Sequence, residues 1–248
     1  MTLDEIALSY ATDKASNLHN YTEKYERYFA ALRQEKLKVL EIGIQNGYSL
    51  KTWKQYFPFA EIFGIDIVDC KHMDEERIKT LKGSQTDITF LNEINTTYGP
   101  FDIIIDDGSH FSTDMTISFN TLFPQLKSGG LYIVEDLHCL YWPQFRDGGK
   151  SFMKRLSKLM NSVNGRGKWG LADKKNEKED SLFQKKRFGK PDWWDRNVEY
   201  IHLYRSIVFI RKYENGDSFG PSSRKKLQWY PKLWRLMNGA LRKIKNKS

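Results

Sequence analysis

The sequence predicts an α/β fold in which helices cover a largely parallel β-sheet, and three observations support this prediction. Strand and helix patterns alternate from residue 37 onward, as they do in chains that form parallel sheets. The crossovers between the strands are short. Two further strand patterns near residue 200 are separated by almost no intervening chain, so they form an antiparallel pair.

The predicted elements follow one another in the order expected for such a sheet. Candidate strands lie at 38–42, 62–67, 88–91, 102–105 and 131–134, and the antiparallel pair lies at 198–203 and 206–212. Candidate helices lie near 49–57, 73–81, 92–97 and 113–126. With 248 residues, of which 40% are hydrophobic, the chain can bury the core of one such domain.

The chain is predicted to divide into three parts around this sheet. These are an N-terminal helical cover at 1–36, the α/β domain at 37–213 and a C-terminal tail at 221–248. Within the domain, residues 164–190 are rich in Lys, Glu, Asp and Gly, which indicates an insertion. It is either a lid over the substrate or a solvated loop without a role. For Trp193 and Trp194, which follow it, packing is favoured over stacking on a sugar.

The tail carries the whole excess of positive charge. The net charge is +9, and residues 224–248 hold nine Lys or Arg and no acid, so the remainder of the chain is neutral. Apolar residues recur at three- and four-residue steps around Pro231, which predicts a basic amphipathic helix. Such a helix suits an anionic membrane surface, its own domain or a second subunit of a homo-oligomer. Nucleic acid is not an expected partner, because the body is neutral.

The cysteines and the N-terminus point to the cytoplasm. Cys70 and Cys139 lack the CxxC or His spacing of a zinc site, so we expect reduced, inert packing residues. The first residues include acids and no apolar core, unlike a signal peptide, and no window is apolar enough to span a membrane. We therefore expect a cytoplasmic protein, peripheral at the inner face of the cytoplasmic membrane if the tail binds lipid.

Acidic residues follow two neighbouring strands of the predicted sheet. The run FDIIIDDGSH ends an apolar strand in Asp106 and Asp107, and His110 follows a Gly-Ser pair. The next strand ends in Glu135 and Asp136. Parallel strands bring their carboxyl ends to one crevice of an α/β sheet, so these acids are expected to converge. The sequence therefore predicts an oxygen-rich site for a hard cation.

A nucleoside site is indicated by the turn after the first strand. VLEIGIQNG contains Gly43 and Gly47 and leads into a helix opened by Ser49, but it lacks the third glycine of the dinucleotide fingerprint. Asp66 closes the second strand, 23 residues after Gly43, where a carboxylate can accept hydrogen bonds from ribose hydroxyls. The SQTD segment at 84–87 suits an adenine edge, although turn chemistry alone would explain it. S-adenosylmethionine fits this pattern better than NAD.

Together these motifs resemble the class I S-adenosylmethionine-dependent methyltransferases. Within that class they are similar to the metal-dependent sugar O-methyltransferases typified by the macrolide-glycoside enzymes of mycinamicin and tylosin biosynthesis. The resemblance rests on ATDK with His19 and Tyr21, VLEIG, WKQYFP, GIDI, FDIIIDDGSH, LFPQLKSGGLYIVEDL and YW, over roughly the first 150 residues, and the hairpin at 198–212 also fits. It implies a Rossmann-like, seven-stranded sheet. Ala11, Ser84 and Ser128 depart from the usual Gly, Gly and Pro without removing a chemical group.

The resemblance also implies roles for individual residues. Asp107 and Asp136 are the implied Mg²⁺ ligands, and His110 is the implied general base rather than a cap of the helix near 113. Glu41 is either a third metal carboxylate or a cofactor residue. The expected cofactor-binding residues are Thr12, Lys14, Glu41, Gly43, Gly47, Ser49, Asp66, Ile67, Thr86, Asp87 and Asp106, of which Asp106 could instead brace its turn. His138 and Tyr141 either line an acceptor pocket or are structural.

These observations lead to a functional prediction with two rivals. We expect a Mg²⁺- and S-adenosylmethionine-dependent O-methyltransferase whose acceptor is a sugar hydroxyl of a glycan, in a bacterial surface polysaccharide such as O-antigen or capsule, or in its lipid-linked precursor. A small soluble glycoside or a nucleotide sugar is the alternative acceptor. A nucleotide-dependent oxidoreductase or hydroxylase would need a pyrophosphate grip or a His-rich iron site, and the sequence has neither signature.

Overall fold

A computed structural model describes residues 1–163 and 192–213 and confirms the α/β fold with a seven-stranded sheet. The strands are β1 (Lys38–Ile42), β2 (Glu61–Asp66), β3 (Ile78–Lys82), β4 (Ile103–Asp106), β5 (Leu131–Val134), β6 (Val198–Leu203) and β7 (Val208–Lys212). Their order across the sheet is β3-β2-β1-β4-β5-β7-β6. The first five strands run parallel, and β7 pairs antiparallel with both β5 and β6, as the closing hairpin predicted.

Seven α-helices are described around this sheet. They are α1 (Leu3–Ser9), α2 (Thr22–Phe29), α3 (Tyr48–Tyr56), α4 (Ile88–Tyr98), α5 (Ser112–Leu122), α6 (Phe152–Val163) and α7 (Trp193–Asn197). Short 3₁₀ turns lie at Ala30–Leu32, Lys71–Met73, Phe123–Gln125, Leu137–Tyr141 and Pro143–Phe145. The predicted helices at 49–57 and 113–126 correspond to α3 and to α5 with its following turn. No helix in the described part of the chain is long and apolar enough to cross a membrane.

Two predicted elements between residues 73 and 97 were wrong. The expected strand at 88–91 is the first turn of α4, and the expected helix at 73–81 gives way to β3. A short apolar run such as 88–91 does not distinguish a strand from a helix. Here Asp87 decides, because its side chain accepts a hydrogen bond from the Phe90 backbone N–H at 3.1 Å and caps the helix. The SQTD segment therefore lies at the carboxyl end of β3, on the edge of the sheet where the predicted site lies.

The core has two layers, one on each face of the sheet. Alternate residues of the strands point to opposite faces, so Val39 and Ile105 join one layer while Leu40 and Ile104 join the other. The first layer contains apolar residues of α1, α2 and α3, and the second contains those of α4, α5 and α6. The N-terminal segment thus packs directly on the central strands, close to their carboxyl ends.

The predictions for the tryptophans and the cysteines can be compared with the structure, whereas those for the insertion and the tail cannot. Trp194 stacks on Phe119 with ring centroids 5.4 Å apart and lies under the Arg155 guanidinium at 4.0 Å, so it packs as expected. Cys70 and Cys139 are free and buried. The insertion at 164–190 and the tail at 221–248 lie outside the described residues.

Candidate active site

Four carboxylates gather at the carboxyl ends of the three central strands. Glu41 lies within β1, Asp107 follows β4, and Glu135 and Asp136 follow β5. Asp107, His110 and Asp136 each offer a ligand atom, and these atoms all lie within 4.8 Å of one another. The structure therefore brings together the three residues that were predicted to carry the chemistry.

A lysine from the N-terminal segment enters this cluster. The Lys14 Nζ lies 2.5 Å from an oxygen of Asp107, 2.9 Å from Glu135 and 3.4 Å from Glu41. Its side chain is only 3% exposed. The sequence placed Lys14 among the cofactor residues, whereas in the structure its ammonium is committed to carboxylates. Glu135 was not among the predicted site residues.

Burial and neighbouring charges shift the pKa values of the groups in this cluster. Burial alone would lower the pKa of Lys14, but the carboxylates of Asp107, Glu135 and Glu41 hold it well above the usual value, so the ammonium persists. Burial raises the pKa of Glu135 well above its usual range, and the Lys14 ammonium opposes that rise. The pKa of Asp107 is also raised, and burial is the main cause. The Lys14 ammonium pairs with Asp107, Glu135 and Glu41 but not with Asp136, and oxygen ligands such as those of Asp107 and Asp136 suit a divalent cation.

Two tyrosines of the N-terminal segment hold the carboxylates that follow β5. The Tyr21 hydroxyl donates to Asp136 Oδ1 at 2.7 Å, and the Tyr25 hydroxyl donates to Glu135. Burial raises the pKa of both phenols, so they remain donors. Neither tyrosine was predicted to contact a carboxylate. The sequence offers only a general clue to these contacts, which is that a buried tyrosine hydroxyl normally finds a hydrogen-bond partner.

His110 faces Asp136 rather than the helix that follows it. Its Nε2 lies 3.8 Å from Asp136 Oδ2, and its buried Nδ1 has no hydrogen-bond partner among the described residues. The α5 helix has Phe111 at its N-cap position without a side-chain cap, and the Phe111 N–H donates to Ser109 Oγ at 3.3 Å. The capping alternative for His110 is therefore not what the structure shows.

The predicted cofactor turn connects β1 to both neighbouring strands. Gly43 and Gly47 have φ angles of +79° and +70°, and a Cβ atom at Gly43 would overlap the backbone of Asp107. One oxygen of Asp66 accepts hydrogen bonds from the backbone N–H groups of Ile44 at 3.1 Å and Gln45 at 3.3 Å. Asp66 therefore fixes the glycine turn.

The other residues predicted to bind the cofactor differ in how far their side chains are exposed to solvent. Ser49 is buried at the start of α3, and Ile67, which follows Asp66, is 71% exposed. Thr12 is buried beside the Lys14 segment. Thr86 is exposed, and its backbone N–H donates to Ser84 Oγ at 3.1 Å, which is turn chemistry. Of these positions, Ile67 and Thr86 are open to a ligand in the structure.

Asp106 lies beneath the site and braces it. It is fully buried and accepts hydrogen bonds from Ser118, from Tyr132 at 2.9 Å and from Gln85 at 3.2 Å. Burial raises the pKa of Asp106 to about 6. Gln85 also accepts a hydrogen bond from the Ser109 backbone N–H at 2.7 Å. Of the two predicted roles for Asp106, these contacts favour the bracing role, and they add Gln85, whose function the sequence did not reveal.

An aromatic rim lies beside Asp136 and His110. The His138 ring lies 4.7 Å from Trp142 and 6.0 Å from His19, and Phe145 packs edge-on against His110 at 5.9 Å. Trp142 is 44% exposed. Tyr141, which was predicted near the acceptor, is 71% exposed. We call Trp142, Phe145, His138 and His19 the aromatic rim. Its rings offer flat apolar faces next to His110.

The chain resembles known O-methyltransferases over about half of their length. Mycinamicin VI 2''-O-methyltransferase from Micromonospora griseorubida is 36% identical over 242 residues, which cover 93% of this chain and 56% of that protein. Demethylmacrocin O-methyltransferase from Streptomyces fradiae is 37% identical over 240 residues, with the same two coverages. No protein-family model matches the sequence.

Solved structures of a related methyltransferase have the same fold as this chain. The MycE methyltransferase from the mycinamycin biosynthetic pathway, in complex with Mg, SAH and mycinamycin VI, aligns with a TM-score of 0.72 and 35% identity, over 89% of this chain and 56% of that chain. A second crystal form of MycE with Mg and SAH aligns with a TM-score of 0.75. The chain is therefore a homologue of these sugar O-methyltransferases and has the class I S-adenosylmethionine-dependent methyltransferase fold.

Proposed function

We propose that this chain is a Mg²⁺- and S-adenosylmethionine-dependent O-methyltransferase that methylates a sugar hydroxyl. The observation that carries the proposal is the grouping of Asp107, His110 and Asp136, which puts a base beside two carboxylates at the carboxyl edge of the sheet. The named activities of the homologues support the reaction class. Because the chain spans about half of those proteins, its own activity is a proposal.

The cofactor is proposed to bind at the turn after β1. The left-handed conformations of Gly43 and Gly47 shape the turn, and Asp66 can accept hydrogen bonds from ribose hydroxyls with the lone pairs that the turn leaves free. Asp87 caps α4 with one side-chain oxygen and can contact an adenine edge with the other. The complexes of MycE with SAH support this choice of cofactor.

Asp107 and Asp136 are the proposed metal ligands. Each has one oxygen held by a neighbour, Asp107 by Lys14 and Asp136 by Tyr21, which orients the other oxygen of each carboxylate. Glu41 accepts a hydrogen bond from Trp53 Nε1 at 3.1 Å and faces Lys14, so we assign it to the support of Lys14 rather than to the metal or the cofactor. When bound, magnesium lowers the pKa of an acceptor hydroxyl and fixes its orientation.

His110 is the proposed general base. Its Nε2 lies within 4 Å of Asp136, so a hydroxyl held at the metal carboxylates would lie within reach of the imidazole. Replacing His110 by Ala should lower turnover by about 10²–10⁴-fold, the usual contribution of a positioned base. Affinity for S-adenosylmethionine should change little, because the cofactor contacts are elsewhere.

The test of this role compares His110→Ala with His72→Ala, which removes a histidine from the Lys71–Met73 turn outside the acid cluster. Methyl transfer is followed with labelled S-adenosylmethionine, and cofactor affinity is followed by calorimetry. Wild-type turnover in His110→Ala would remove the proposed base. Loss of cofactor binding in that variant would show that the histidine acts on the cofactor instead.

The aromatic rim is the proposed wall of the acceptor site. Exposed rings pack well against the apolar faces of sugar rings, and His138 lies 3.9 Å from Asp136 with Trp142 packed against it. The homologues are named for glycosides, which supports a glycoside acceptor. A bacterial surface polysaccharide or its lipid-linked precursor stays a prediction. So do cytoplasmic location, homo-oligomerisation and membrane binding through residues 224–248, which lie outside the described residues.

A further inference from the structure

The Lys14 ammonium divides the carboxylate cluster into an inner and an outer half. The inner half consists of Glu41, Glu135 and the Asp107 oxygen nearest to Lys14, and the outer half contains Asp136 and the other oxygen of Asp107. We propose that Lys14 is a positioning residue that acts as a resident cation. It takes the place that a second divalent ion would otherwise occupy, and so limits the site to one metal ion. The inference rests on the magnesium site of the proposed function and deepens it.

The inner half buries carboxylates that a nearby cation stabilises. Glu41 is fully buried, and its Oε1 has no hydrogen-bond partner in the described part of the chain, although it lies 3.4 Å from the Lys14 Nζ. Glu135 is buried beside it. An unpaired carboxylate in such surroundings is strongly unfavourable, and removal of one partner leaves the other charge uncompensated. The Lys14 ammonium is the charge that meets this need.

The backbone around Lys14 delivers the ammonium from a fixed position. The Lys14 carbonyl oxygen accepts hydrogen bonds from the N–H groups of Tyr21 at 2.9 Å and Thr22 at 3.1 Å. Asp4 ties the same segment together, because its carboxylate accepts hydrogen bonds from the backbone and hydroxyl of Ser16 and from the Thr22 hydroxyl. The loop between α1 and α2 is therefore closed on itself, and the lysine side chain projects from it into the cluster.

The position of the ammonium determines how many ions the cluster can bind. Three carboxylate oxygens surround the Nζ at 2.5, 2.9 and 3.4 Å, which is an all-oxygen environment of the kind that hard cations prefer. With Lys14 present, that place is filled and one Asp107 oxygen is committed to it. If the charge is removed, the same oxygens become ligands for a second ion.

The test counts bound ions instead of measuring methyl transfer. Mn²⁺ is titrated into the full chain and free Mn²⁺ is measured by electron paramagnetic resonance, for wild type, Lys14→Met and the control Lys24→Met. Lys24 pairs with Glu23 at the surface at 3.2 Å. We expect one tightly bound ion per chain in wild type and in the control, and two in Lys14→Met. Two tight ions in wild type, or one ion with wild-type affinity in Lys14→Met, would overturn the proposal.

Two further measurements keep the test decisive if Lys14→Met folds poorly. Its melting temperature in EDTA should fall below that of wild type and recover on addition of Mn²⁺, whereas Lys24→Met should show no such recovery. The double variant Lys14→Met/Glu135→Gln removes the ammonium together with one of the carboxylates that face it. It should therefore bind one ion, and a second tightly bound ion in this variant would contradict the resident-cation role. Wild type that binds one Mn²⁺ but transfers no methyl group would refute the proposed function and leave this inference standing.

Discussion

Replacing Tyr21 by Phe tests whether the N-terminal segment supports the metal site. The change removes only the hydroxyl that donates to Asp136 Oδ1 at 2.7 Å and leaves the buried ring in place. A hydrogen bond to a charged group contributes about 1.5–3 kcal/mol. A loss of that size corresponds to a roughly 10- to 100-fold weaker affinity for magnesium, which matches the usual cost of removing a hydrogen bond to a metal ligand.

The assay is a magnesium titration of methyl transfer, together with a direct Mn²⁺ titration. Tyr28→Phe is the matched control, because Tyr28 lies on α2, the helix that Tyr21 immediately precedes, and its hydroxyl contacts His202 and Tyr204, not the carboxylates. Both variants should lose some stability, but only Tyr21→Phe should shift the metal dependence. At saturating magnesium, Tyr21→Phe should recover most of its turnover.

An unchanged metal affinity in Tyr21→Phe would refute this reasoning. It would mean that Asp136 is oriented without the Tyr21 hydroxyl, or that Asp136 is not a ligand. A fall in turnover that magnesium does not restore would also contradict the account, because it would place the effect on the reacting groups instead of on the ion.

Two further predictions concern the cofactor turn and the aromatic rim. Gly43→Ala should destabilise the fold by more than the ~1–2 kcal/mol that left-handed backbone costs an L-residue, because its Cβ overlaps the Asp107 backbone. Gly148→Ala, with φ of +71° and open space around the Cβ, should show the backbone cost alone in denaturant unfolding. Trp142→Ala should raise the KM for a glycoside acceptor by about 2- to 10-fold, the worth of one aromatic contact, with unchanged cofactor affinity. Trp194→Ala, which loses packing on Phe119, should lower stability without that KM effect. Equal unfolding free energies for the two glycine variants, or an unchanged acceptor KM, would contradict these predictions.

The fold was largely predictable because buried strands leave a direct record in the sequence. The apolar runs that became β4 and β5 lead directly into acidic residues, and the closing hairpin follows from two strand patterns with no room for a crossover. The exception was the region of β3 and α4. There, a short apolar run fitted either type of element, and the capping role of Asp87 decided between them.

The candidate site was predictable only in part. Asp107, His110 and Asp136 could be placed together because neighbouring parallel strands share one edge. Lys14 could not be placed, because it meets Asp107 across 93 residues of sequence and its partner Glu135 across 121. Such contacts depend on how the N-terminal segment packs on the sheet, and no local spacing records that. The roles of Tyr21 and Gln85 were hidden for the same reason.

The most direct test of the central claim measures transfer of a labelled methyl group from S-adenosylmethionine, with magnesium and with EDTA. The acceptors are mycinamicin VI, a nucleotide sugar and a total cell-envelope glycan extract. The account predicts that a sugar hydroxyl of at least one acceptor is labelled, that labelling requires magnesium, and that restoring magnesium after EDTA restores it. Labelling that persists in EDTA would contradict the metal role, and failure to bind S-adenosylmethionine would contradict the account as a whole.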